Sequence, residues 1–233
     1  MINEKKVVNY VKNRNNSLKQ QKYDNLNVFI KDNVTDKISL KAVFGHINSI
    51  LPYNIINLID IVYVGNFDFL ENRSINALYM DQAIYVSNEQ DNNEDMVDDI
   101  MHEVAHAVEE KYKYFIYNDN LVKKEFLGKR NKLEFLLNYE EYNVNKLNFL
   151  NSNYDKEFDA FMYNEVGNEK LNNLTNGLFL RGYSVVSLRE YFATAFEEYY
   201  LGNRYDIKNI SPLLYKKINL INEEEMELNE DEF

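Results

Sequence analysis

Residues 99–110 read DIMHEVAHAVEE and place His102 and His106 four positions apart, with Glu103 between them. On an α-helix each residue turns about 100°, so residues four apart share a face. Two neutral imidazoles on one face can hold one metal ion, and a carboxylate one step round the helix can address a water on it. This is the ligand–base–ligand logic of a zinc hydrolase: zinc brings the pKa of its water to about 7, and the glutamate takes the proton as oxygen attacks a polarised carbonyl. The chain has 3 histidines and 0 cysteines, so a metal here depends on histidine, carboxylate, carbonyl or water. The third histidine, His46, stands alone on an amphipathic pattern and reads as a surface or satisfied core residue.

Catalytic zinc takes three protein ligands and keeps one position open. The metzincin pattern needs glycine three residues and histidine six residues after the second histidine. Those positions hold Glu109 and Tyr112, which excludes that class. Glu110 shares the histidine face but lies ~12 Å along the axis from His102, too far for a compact site. The third ligand therefore belongs to another element. The best candidate is Glu190 in RGYSVVSLREYFATAFEEYY, in the first turn of a helix whose Phe192, Ala193, Ala195, Phe196 and Tyr199 read as buried. Ser187-x-x-Glu190 is equally a capping box, and spacing alone does not separate ligand from cap.

The elements that must position these groups follow from hydrophobic periodicity. Residues 1–35 are polar with a helical hint and read as an appended extension. DKISLKAVFGHINSIL, from Asp36, reads as an amphipathic helix ended by Pro52. IINLIDIVYVGNF reads as a buried strand, and ALYMDQAIYVSN as two strands, Ala77 to Met80 and Ala83 to Ser87, joined at Asp81-Gln82. The HEVAH helix is expected from about Asp95 to Tyr114. Residues 120–180 read as mostly helical, with weak breaks near Gly128, Asn151-Ser152-Asn153 and Gly167. A last helix has Ser187 as N-cap and Gly202-Asn203 as its stop. The expected class is α+β: a small mixed sheet with an edge strand beside the HEVAH helix, then a mainly helical C-terminal half. The main domain spans 36–221, with a helical insertion at about 119–180, and 222–233 form an acidic tail.

With 45% hydrophobic and 27% charged residues, the 233-residue chain has the composition of an ordinary globular protein. Its net charge is −12, and the last eleven residues, EEEMELNEDEF, carry seven acids and no base. That balance argues against nucleic acid as the main partner. No apolar run is long enough for a membrane span, and the N-terminus lacks the apolar region of a signal peptide. The expected location is cytoplasmic, or outside the cell by a non-Sec route as a secreted effector or virion component.

HEVAHAVEE, Tyr183 and Glu190 in EYFATAF together resemble the zinc-peptidase domain of the anthrax lethal factor family, to which the clostridial Pro-Pro endopeptidases are related. The resemblance covers roughly Ile55 to Tyr200 and is specific in those two short blocks. It implies a zincin-like (gluzincin) fold, one Zn2+ per chain, and Glu190 as third ligand opening an E-x-F-A-x-A-F helix. It also implies that Tyr183, seven residues earlier, stabilises the oxyanion. The family often has an acid one turn after that ligand. Here the position holds Thr194, leaving Asp99 or Glu197 to orient a histidine. An extended peptide or protein substrate would pair with an edge strand, taken as Ala83, Ile84, Tyr85 and Val86 or else Ala77 to Met80. The expected activity is a zinc metalloendopeptidase with Glu103 as base. The alternative is a structural or interaction protein with assembly partners, such as a virion or secreted-particle component, built on the same domain with little or no proteolysis.

Overall fold

The computed structural model describes residues 19–223. Contacts divide the chain into two compact units, one ending at Ala107 and one beginning at Val108. The first is a five-stranded sheet with helices. Strands β1 (Lys19–Tyr23) and β2 (Leu26–Ile30) form a hairpin, followed by helices α1 (Leu40–Ile50) and α2 (Tyr53–Ile56) and strand β3 (Ile61–Val64). Helix α3 (Asp68–Glu71), strands β4 (Ala77–Met80) and β5 (Ala83–Val86), and helix α4 (Asn93–Tyr117) come next. The strand order is β1-β2-β3-β5-β4. β2/β3 and β3/β5 pair in parallel, the two hairpins antiparallel, so the sheet is mixed.

Alternation along the strands sets the core. Val28, Val62, Val64, Ile84 and Val86 are fully buried, as are Val43, Phe44 and Ile47 of α1 and Met96, Met101 and Val104 of α4. The other face of the sheet carries rings in register: Phe29 opposite Tyr63, and Tyr63 opposite Tyr85. Their centroids are 5.6 and 5.0 Å apart.

Three expectations are corrected here. Residues 19–30, read as part of a helical extension, form the β1–β2 hairpin. Its turn places Asp24 at φ 49°, and β2 alternates buried and half-buried side chains as a strand does; residues 1–18 lie outside the described residues. The long strand expected from Ile55 is short, because Pro52 opens the helical turn α2 and extended pairing starts only at Ile61. Ala83–Val86 is not an edge: β5 is bonded to β3 on one side and β4 on the other, because a parallel pairing on β3 puts the hairpin's first strand outside. The edge beside it is β4, Ala77–Met80.

The second unit is helical. It begins within α4, at Val108, and contains α5 (Leu121–Tyr139), α6 (Lys156–Phe161) continued by a π-turn at Met162–Val166, and α7 (Asn168–Thr175). A 3-10 turn at Gly182–Val185 precedes α8 (Leu188–Leu201), α9 (Arg204–Ile210) and α10 (Pro212–Asn222). Gly167, at φ +79°, ends the π-turn as expected. Gly128 breaks nothing: it sits inside α5, exposed, where a glycine is tolerated at a cost of about 1 kcal/mol. The expected tail lies outside the described residues beyond Glu223. Among the described residues no helix is long and apolar enough to cross a membrane.

Candidate metal centre

Helix α4 positions the histidine pair. Asn93, Glu94 and Asp95 occupy its first turn, where acids complement the helix dipole, and the helix runs regularly until Tyr112, which leaves helical geometry at φ −102°, ψ 16°. The His102 and His106 rings therefore stand on one face, with centroids 4.8 Å apart and planes at 87°. His106 is 6% exposed and Glu103 7%. The Glu103 carboxylate is anchored by the edge strand: the Tyr79 backbone N–H donates to Glu103 Oε2 at 2.6 Å.

Helix α8 positions Glu190. The Ser187 hydroxyl accepts the Glu190 N–H at 3.1 Å, so the serine half of the capping box is made. The Glu190 carboxylate contributes to a different group. His102, His106 and Glu190 each offer one ligand atom, and these atoms all lie within 4.8 Å of one another. Two imidazole nitrogens and a carboxylate oxygen so placed could hold a metal ion.

The other expected site residues fall at varying depth. Asp99, one turn before His102, accepts from Gln90 Nε2 at 2.8 Å. Burial holds its carboxyl above the usual carboxylate range, against the hydrogen bonds from Gln90 and Asn76 and the attraction of His102. An acid-lined cavity of about 660 Å³ opens beside it, with Glu89, Asp91, Asp95 and Asp98 in its walls. Thr194 is buried one turn beyond Glu190. Glu197, the possible substitute for Thr194, is ion-paired with Arg181. Tyr183 lies in the 3-10 turn before α8 and is 54% exposed. His46 is exposed on α1.

Several neighbours escape sequence reasoning. The Leu188 N–H donates to Ser152 C=O at 2.8 Å, tying the 151–155 loop to the start of α8. Tyr154 on that loop donates to Asp159 Oδ2 at 2.7 Å. That bond, then burial, then the charges of Asp159 and Glu190 push its phenol up to about 12. Glu109 receives the Tyr117 hydroxyl at 2.8 Å and faces Arg189 Nε at 3.7 Å. Its carboxyl is raised chiefly by burial, with the charge of Glu190 adding to the rise. Among nineteen tyrosines no spacing marks Tyr154, and nothing in a run of polar residues marks Gln90 as the partner of Asp99.

No protein-family model, curated protein or solved structure matches the chain.

Proposed function

We propose that the chain is a zinc-dependent metalloendopeptidase on a zincin-like fold, with His102, His106 and Glu190 as zinc ligands and Glu103 as general base. The observation that carries this reading is the convergence of the three ligand atoms within 4.8 Å, from two helices, around a helix that also presents a buried glutamate. The donor set suits zinc, whose tetrahedral ligands at about 2.0–2.1 Å stand ~3.3 Å apart, so small side-chain movements close the site. When bound, zinc would acidify a water and polarise the scissile carbonyl.

The chain's own residues do the rest. Glu103 accepts a proton from the attacking water, whose oxygen bonds to the carbonyl carbon. As the C–N bond breaks, the same carboxylate returns the proton to the departing amine nitrogen. Tyr183, seven residues before Glu190, donates a hydrogen bond to the developing oxyanion, a role worth about 10²–10³ in rate when such a donor is removed. Asp99, beside His102, orients that imidazole in place of the acid that Thr194 does not supply. An extended peptide lies along the β4 edge.

Metal analysis tests the first step. Purified protein is expected to hold one zinc, and Glu190→Ala to weaken binding by at least about tenfold without unfolding. A protein without stoichiometric zinc would sink the proposal. Zinc binding with no cleavage of a diverse peptide mixture, together with a stable complex with other chains, would turn the same site into an assembly scaffold.

A further inference from the structure

Pairing between β4 and β5 determines which backbone groups of the outer strand face away from the sheet. The two-residue loop Asp81-Gln82, with φ values of 53° and 61°, makes Met80 and Ala83 the closing pair that exchanges backbone hydrogen bonds. Alternation along an antiparallel ladder then turns the N–H and C=O of Tyr79, opposite Ile84, away from β5. At the far end the Ser87 N–H donates to Asn76 C=O at 2.7 Å, which keeps the same alternation.

An outward N–H on an edge strand meets water or another strand. The Tyr79 N–H meets a carboxylate instead, at 2.6 Å, with Tyr79 8% and Glu103 7% exposed. That distance is short even for a charge-assisted hydrogen bond. A glutamate side chain has three rotatable bonds, and a base must stay within reach of one proton, so a fixed donor on one oxygen removes most of the wrong orientations.

We propose that the Tyr79 backbone amide is a positioning group for the base: it holds Glu103 Oε2, and Oε1 is the oxygen that takes the proton. The inference rests on the peptidase reading of Glu103. It also defines how a peptide uses this edge. The peptide pairs with the outward Tyr79 C=O and with Ala77, while the Tyr79 N–H stays with the base.

Amide hydrogen exchange tests the bond without any substrate. In the full-length protein the Tyr79 amide is expected to exchange slowly in the wild type and in Glu103→Gln, whose side-chain oxygen still accepts. In Glu103→Ala it is expected to exchange roughly tenfold to hundredfold faster, while Leu78 and Met80 in the ladder change little. A Tyr79 amide that exchanges freely in the wild type, or one unaffected by Glu103→Ala, overturns the proposal. The catalytic consequence is read by replacing the Tyr79 peptide N–H with an ester oxygen, which keeps the side chain. On a fluorogenic peptide mixture, kcat falls while KM and zinc content hold. An equal fall in zinc content, or an unchanged kcat, overturns the positioning role. No cleavage by zinc-loaded wild type overturns the peptidase reading instead, and exchange then reports the hydrogen bond on its own.

Discussion

Among the described residues of the unit that ends at Ala107, the buried polar side chains are Gln90, Glu103 and His106; in the unit from Val108 onward they are Lys129, Arg130, Thr175, Ser184, Ser187, Thr194, Glu197 and Ser211. Most of the second group works for the backbone. Lys129 Nζ donates to Ile210 C=O at 2.6 Å and Ser211 Oγ at 2.8 Å. Arg130 donates to Asn151 C=O at 2.6 Å with its guanidinium 3.7 Å from the centre of the Phe158 ring, and Thr175 bonds back to Leu171 C=O at 2.7 Å. Helices end in carbonyls and N–H groups that lack intrahelical partners, and a layer of short helices has many ends to satisfy. A sheet satisfies most of its own backbone through the ladder. Of the buried polar side chains beside it, Glu103 accepts the Tyr79 N–H that faces away from the ladder, His106 is one of the three candidate ligands, and Gln90 donates to Asp99. In the second unit a buried polar group mostly serves the backbone, with Thr194 and Glu197 on the helix of Glu190 as the exceptions; in the first it gathers at the candidate metal centre.

The sharpest way to break that contrast is to exchange its consequences. Glu103→Gln should cost about 10²–10⁴ in peptide cleavage, the usual worth of a general base, while zinc content and thermal stability stay close to wild type. A variant that unfolds would place Glu103 with the architectural group. Arg130→Met should do the reverse, losing roughly 1–3 kcal/mol in denaturant titration because the part-buried Asn151 and Asn148 carbonyls lose their donor, with zinc content unchanged while folded. Part of that loss is offset, since Arg130 Nε has no hydrogen-bond partner among the described residues. The smallest effect concerns pH. Burial, only partly opposed by Glu125, lowers Lys129 from its ordinary 10.5 to about 8. The unfolded chain therefore binds more protons than the folded one between about pH 8 and 10.5, and stability rises with pH across that window. Wild type should gain on Lys129→Met there by up to ~3 kcal/mol, and parallel stability curves would show that the ammonium is not penalised by burial.

What could be read from residues alone divides along the same line. The α4 helix, the Ser187 cap, the Gly202 stop and the Ala77–Met80 and Ala83–Val86 strands follow local rules of periodicity and turn chemistry, and each stands where those rules put it. The strand order does not follow from local rules. Nothing in AIYV says that it pairs on both sides, because its alternation is the same at an edge as in the interior, and so residues alone leave either strand of the hairpin as the edge. Residues 19–23 are a similar case: KQQKY is polar at nearly every position, and its strand comes from pairing with β2, not from a pattern of its own. At the site, the two histidines are local information on one helix. Spacing alone leaves Glu190 equally a ligand or a cap, and the Tyr79 amide is invisible because a backbone N–H carries no side-chain signature.

The ring stack across the sheet has a practical use. The chain contains 19 tyrosines and no tryptophan, so its near-ultraviolet signal comes from phenols and phenylalanines alone. Tyr63 and Tyr85 lie directly opposite each other in the parallel β3–β5 pair, with rings 5.0 Å apart and planes within 18°. Two chromophores so close and so nearly parallel couple in circular dichroism, and a one-residue slip would send one ring to the opposite face and abolish the coupling. Tyr199 and Tyr200, outside the sheet, have rings equally close at 5.0 Å, so the part of the signal lost in Tyr63→Phe is the optical gauge of strand register, and it reads whether a substitution at the candidate metal centre has disturbed the sheet.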